Sequence, residues 1–141
     1  MKALSIWQPW ASLIICGMKK VETRSWPAPN DVRGHRIAIA STKTIRREQR
    51  NAADEPDFQR QYRASGLPPI NDLPLGYILG TVMVVGCREM DSQLIQDLDA
   101  QEEALGVYGP GRFAWFLSDP EPLGKPIPVR GGQGLWNWSS S

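Results

Sequence analysis

The segment Gly17-Met18-Lys19-Lys20-Val21-Glu22-Thr23-Arg24 sets an ammonium, a carboxylate and a guanidinium within a few residues of one another. A glycine ends a helix well, and the run after it reads as extended. Alternate residues of a strand share a face, so Glu22 and Arg24 fall on one side together with Lys20, while Lys19 sits at the corner. One reading is a charged cleft in which Lys19 and Arg24 grip a phosphate or carbonyl and Glu22 holds them in place. The other is an exposed strand with an ordinary ion pair, which contributes little. Tryptophan flanks the segment on both sides, Trp10 before it and Trp26 after it. Indole beside lysine and arginine is the composition of a site that stacks a base and holds its phosphate. A packed core uses tryptophan as well.

Further candidates lie outside this segment. The strand end Ala38-Ile39-Ala40-Ser41-Thr42-Lys43 offers hydroxyl donors and a charge. Gly109-Pro110-Gly111-Arg112 is a tight loop able to present backbone N–H groups to an anion, although it lacks phosphate-loop spacing. With a single histidine, His35, no serine–histidine–aspartate set is available, and no cluster of metal ligands exists. If the protein is an enzyme, lysine and glutamate must act. Lys19 would be base or nucleophile, activated by a nearby cation such as Lys20 or Arg24. Glu22 would carry the proton, and Glu102 or Glu103 could supply the carboxylate instead.

The elements that position these residues can be read from patterning. Lys2 to Ile6 is a short strand. Pro9 to Cys16 reads as a two-turn helix, with proline in the first turn and Trp10, Leu13 and Ile14 on one face. Lys20 to Ser25 and His35 to Ser41 read as strands. Thr44 caps a helix; with Pro56 to Ala64 that stretch is polar nearly all round and reads as a surface helical excursion. The proline-rich run 65–76 is loop. Gly76 to Glu89 is the longest β-type run, near-continuously apolar and therefore central, with Gly80 and Gly86 permitting bends. An acidic helix capped by Asp91 or Ser92 reaches about Leu105, and Arg112 to Leu117 is a strand. Pro120 to Val129 is too rich in proline for a central strand, so it is edge strand or coil. Gln133-Gly134-Leu135-Trp136 covers one end of the sheet. The sum is α+β: a small, curled, barrel-like sheet of about six strands with inserted helices.

The chain has 141 residues, consistent with one domain over 1–141. Its formal net charge is +1, yet nine basic residues oppose three acidic ones between Lys19 and Arg50, and six acids stand alone between Glu89 and Glu103. Such a division makes a strong internal field. No apolar run nears the roughly 20 residues a membrane helix needs, and the first residues lack signal-peptide features, so a cytoplasmic location without membrane attachment is expected. Cys16 and Cys87 lie in apolar runs and read as buried free thiols. No metal and no cofactor are expected.

Taken together, Leu4 to Trp26 with its Gly17-x-Lys19-x-x-Glu22-x-Arg24 core, then Arg33-Gly34-His35 to Lys43, and the closing Ile127 to Trp136, resemble the ASCH (activating signal cointegrator homology) domain. The match is strongest over residues 4–43 and resumes in Leu79 to Glu89; residues 45–73 are the variable helical and loop insertion. The resemblance implies a small β-barrel related to the PUA fold. It also implies a binding cleft lined by the Gly-x-Lys-x-x-Glu-x-Arg segment and binding of nucleic acid, RNA most often. A few bacterial relatives look like enzymes: an amidohydrolase acting on N4-acetylcytidine through lysine, threonine and glutamate, and a ribonuclease. This chain has Glu22 where the amidohydrolase motif has threonine, and Thr23 is out of register for it.

Three readings follow. In the first, RNA or a modified nucleotide is bound by Trp10, Lys19, Glu22, Arg24, Ser25, Trp26, Arg33, Ser41 and Lys43. In the second, a small hydrolase works on a modified nucleobase or RNA through Lys19, Glu22 and Arg24. The third is a protein-interaction adaptor.

Overall fold

The structure, a computed structural model, describes residues 1–139. It is an α+β fold built on one six-stranded sheet. The strands are β1 (Lys2–Ile6), β2 (Val21–Arg24), β3 (Arg36–Ser41), β4 (Tyr77–Glu89), β5 (Phe113–Pro128) and β6 (Leu135–Asn137), in the spatial order β2-β5-β4-β3-β1-β6. β1 and β3 run parallel; the other neighbours are antiparallel. The β1–β3 connection carries a helix, as a parallel pair requires.

The sheet curls into a half-barrel because its two longest strands are irregular partners. The β4–β5 register shifts at three places, and each irregularity bends and twists a strand. Gly80 sits at one of them. A Cβ there would lie 2.4 Å from the Glu121 carbonyl oxygen, so only glycine lets β4 come this close to β5. The curl carries the β2 edge toward the opposite edge, and Arg24 of β2 closes the distance: its Nη2 donates to the Ser5 carbonyl of β1 at 2.6 Å.

Between β1 and β2 lies α1 (Trp10–Ile15), seated against the sheet. Ala11, Ile14 and Ile15 join Ile37, Ile39, Val82 and Trp115 in the main core. Leu13, on another side of the same helix, enters a second cluster with Ala53, Phe58, Tyr62 and Leu105. That cluster is built by α2 (Arg47–Ala53), α3 (Pro56–Ala64) and α5 (Ala100–Leu105), which follows α4 (Ser92–Asp97). The stretch read as polar all round therefore buries one face. Phe58 and Tyr62, one turn apart and stacked with centroids at 6.1 Å, supply it.

Several boundaries differ from the sequence reading for local reasons. The first intrahelical turn after β3 begins at Arg47, not Thr44, because Gln49 reaches back to accept from the Arg46 amide at 3.1 Å. The acidic helix is two helices. Asp91 accepts from the Leu94 amide and Asp99 from the Glu102 amide, and the second cap breaks the run at Leu98. The segment from Pro120 to Pro128 is continuous with the strand before it, as the second half of β5. β2 covers only Phe113 to Phe116, so the rest of β5 has a free edge where proline is tolerated. Cys16 is exposed rather than buried, since it stands at the end of α1 just beyond the enclosed residues; Cys87 is half-buried. No described helix is long and apolar enough to cross a membrane.

Candidate functional site

At the carboxyl ends of β1 and β3 the half-barrel opens into a cleft of about 440 Å³. Its floor is the polar segment of β2, Glu22 to Arg24, with Lys19 at the corner before it. Trp7 and Trp10 stand on one side, following β1. Glu48, Gln49 and Ala52 of α2 form a second wall, and the loop from Gly106 to Gly109, with Arg112, closes the rim.

Lys19 is only 4% exposed. Its Nζ donates to Glu102 Oε2 at 2.8 Å and to the Tyr108 hydroxyl at 2.5 Å. The Tyr108 hydroxyl in turn donates to the same Glu102 oxygen. Glu102 Oε1 accepts from the Lys20 amide at 2.7 Å. Burial first, and then the Glu102 carboxylate, push the Tyr108 phenol far above its ordinary range, so it stays an O–H donor. The acidic stretch thus meets the basic one at a single buried point. Loss of either partner would leave an uncompensated charge inside. Gln101 adds a bond from the same helix to the Met18 carbonyl at 2.7 Å.

Glu22 and Arg24 form the second pair, with Glu22 Oε2 and Arg24 Nε 3.5 Å apart. Burial raises the Glu22 carboxyl above its ordinary value, and Arg24 and then Lys19 pull it partly back. Arg24 Nη2 is held by Ser5, but Nε is buried without a hydrogen-bond partner. A buried N–H in that condition is uncommon.

The indoles divide by role. Trp10 is fixed: its Nε1 donates to the Leu105 carbonyl at 2.7 Å and its ring meets Phe58 edge-on. Trp7 is half-buried, with the Arg46 guanidinium 5.5 Å from its ring centre. Trp26 stands edge-on to the fully buried Trp115, centroids 5.1 Å apart, and its carbonyl accepts from Trp115 Nε1.

The cleft therefore gathers Trp10, Lys19, Glu22 and Arg24 of the residues singled out from sequence, with Gly109 and Arg112 of the tight loop considered beside them. Trp26 backs Arg24 from outside the cleft, its ring 5.8 Å from the guanidinium. Ser25 and Arg33 are exposed away from it, and Arg33 donates to the Ala28 carbonyl. Ser41 is buried and exchanges hydrogen bonds with the Tyr77 backbone. Together with Lys43 it borders a different hollow. Lys20 turns away from the cleft. The lining residues that were not singled out include Trp7, Tyr108 and the α2 residue Gln49. Trp7 carried a signal in its place one residue beyond the β1 strand; nothing local marks the other two, which arrive by long-range packing. Among the described residues no group of three or more His, Cys, Asp or Glu could hold a metal ion.

The ASCH domain family model matches residues 4–127. Activating signal cointegrator 1 of Homo sapiens and that of Mus musculus are each 31% identical to this chain over 137 residues, 97% of its length. The chain spans 22% of the length of those relatives. The crystal structure of ASCH from Zymomonas mobilis matches with a TM-score of 0.62 at 18% identity, covering 99% of this chain and 87% of that one. A tyrosine-to-phenylalanine variant of that protein gives 0.61, with 90% of its chain covered. At such identity the likeness is one of fold.

Proposed function

The chain belongs to the ASCH domain family, and from that premise we propose that it is a nucleic-acid-binding module that holds an unstacked RNA base, or a modified nucleotide, in the cleft beside β2. The cleft volume of about 440 Å³ lies in the range of small-ligand sites. RNA-binding modules commonly take splayed-out bases onto aromatic rings and read their edges with polar side chains. Trp7 and Trp10 provide the rings. Glu22 accepts from an exocyclic amine, and Arg24 donates to a ring acceptor beside it. Arg46 and Arg112 lie at the rim, where a phosphate would pass.

The observation that carries this reading is the pair of opposite charges on the cleft floor, the Glu22 carboxylate and the Arg24 guanidinium, 3.5 Å apart at Nε and joined by no hydrogen bond there. The mixed signs of the floor suit a neutral base with donors and acceptors side by side better than a bare phosphate. The test is affinity for a random RNA pool at low and moderate salt, with wild type and Arg24→Ala. Binding that weakens with salt, and falls about fivefold or more in the variant, is expected. Absence of binding at low salt would overturn the proposal.

A hydrolase in the same cleft would need Lys19 as base or nucleophile. Two of the three N–H bonds of its ammonium group already go to Glu102 and Tyr108, which favours a positioning role and therefore the binding reading. Product release from acylated cytidine or RNA by the wild-type protein would reverse that preference.

A further inference from the structure

A second hollow of about 280 Å³ opens at the same end of the sheet, and its lining differs in kind. Lys43 and Arg130 flank it, Thr42 and Gln133 add polar side chains, and no acidic residue lines it. Neither Lys43 nor Arg130 forms an ion pair with another described residue. The backbone amides of Gly131, Gly132 and Gln133 donate to no carbonyl among the described residues.

The hollow is held in shape from below. Ser5 Oγ donates to the Gly132 carbonyl at 2.6 Å and accepts from Trp136 Nε1 at 2.9 Å. Gly76 has φ +81°, and a Cβ there would lie 3.2 Å from Lys43 Cγ, so the lysine stem lies across a position that only glycine leaves open. Two cations and a run of undirected amides around a concavity without carboxylates make an anion site.

Two chain segments run from this hollow into the cleft. Along β1, Ser5 borders the hollow while Ile6 and Trp7 border the cleft, and Ser5 also holds Arg24 through its carbonyl. After β3, Thr42 and Lys43 border the hollow, Arg46 covers Trp7, and Glu48 and Gln49 border the cleft. A strand advances about 3.4 Å per residue, so the sites are neighbours. The geometry points to a phosphate subsite: the Lys43–Arg130 hollow holds the backbone of the RNA strand whose base occupies the cleft. This rests on the base-binding reading and narrows it, since the ligand becomes a strand rather than a free nucleoside.

The probe is a short mixed-sequence single-stranded RNA, titrated over a salt series into wild type, Lys43→Ala/Arg130→Ala and Arg24→Ala. Both cations of the double variant are exposed and unpaired, so its melting temperature should match wild type. Its affinity should fall several-fold at low salt, and its slope of log affinity against log salt should drop by about 0.7, the value for one phosphate no longer neutralised. An unchanged slope in the double variant, with affinity reduced in Arg24→Ala, overturns the subsite and leaves the cleft reading standing. An unchanged affinity in Arg24→Ala, with the slope reduced in the double variant, overturns the link to the cleft, and the cleft reading with it. Inorganic phosphate titrated into isotopically labelled protein forms the second arm. Shifts at the Gly131, Gly132 and Gln133 amides together with RNA binding support the subsite. Those shifts without RNA binding assign the hollow to a free anion and overturn the strand. No shift from either probe overturns the anion site itself.

Discussion

The cleft and the glycine-bordered hollow meet along the same two chain segments, yet they handle charge in opposite ways. In the cleft every cation on the floor has a carboxylate close by: Lys19 is clamped to Glu102 and Arg24 stands beside Glu22. In the hollow the cations stand without counter-charges. Paired and buried charges fix shape and direct hydrogen bonds, whereas unpaired exposed ones supply field and counterion release. Neighbouring sites of these two kinds divide recognition into reading an edge and holding a backbone.

The comparison breaks most visibly where a buried pair loses one member. Lys19→Ala should cost about 3–5 kcal/mol of folding stability, since it strands Glu102 in the interior. Denaturant unfolding of the variant measures this, and a loss below about 1 kcal/mol would mean that the clasp is not holding α5 against the β2 corner. Arg24→Ala should weaken RNA binding by about 1–3 kcal/mol, the worth of a directed base contact, with little change in the salt slope. A slope change as large as that expected from the hollow variant would erase the distinction between the sites. Trp7→Ala should lose a similar 1–3 kcal/mol of binding if it stacks a base, whereas Trp26→Phe, outside the cleft, should leave affinity unchanged; fluorescence titration separates the two.

The smallest expected effect sharpens the account of Glu22. Its folded-state pKa lies above the ordinary value of 4.5 because burial outweighs Arg24 and Lys19. The folded state therefore keeps a proton that the unfolded chain releases, and Glu22 costs stability progressively as pH rises through and above 4.5. Glu22→Gln removes that cost. Its melting temperature relative to wild type should rise with pH from the ordinary carboxylate range upward, by a few degrees at most. A difference independent of pH would show that the carboxyl is not desolvated.

Much of the half-barrel could be read from local pattern. β1 was legible as a short strand-like run, and β4 by the apolar continuity of Gly76 to Glu89. What failed were junctions that depend on a side chain answering a backbone group, such as Gln49 setting the α2 start and Asp99 dividing α4 from α5. For the site, the corner Lys19–Arg24 was visible because its charges are close in sequence. Glu102 entered only as an alternative carboxylate, since nothing local links two positions 83 apart in the chain. Tyr108 was invisible for the same reason. Ser41 and Lys43 looked like partners of Lys19 from composition alone. The parallel β1–β3 pairing carries them past the cleft to the neighbouring hollow, which no reading of their own segment reveals.

The indole and amide resonances of labelled protein during titration with a short single-stranded RNA test the central claim most directly. The Trp7 and Trp10 indole N–H signals and the amides from Glu22 to Arg24 should shift in a saturable manner, while the Trp115 indole stays in place. Saturable shifts confined to other faces of the sheet, with those cleft signals unmoved, would contradict that claim.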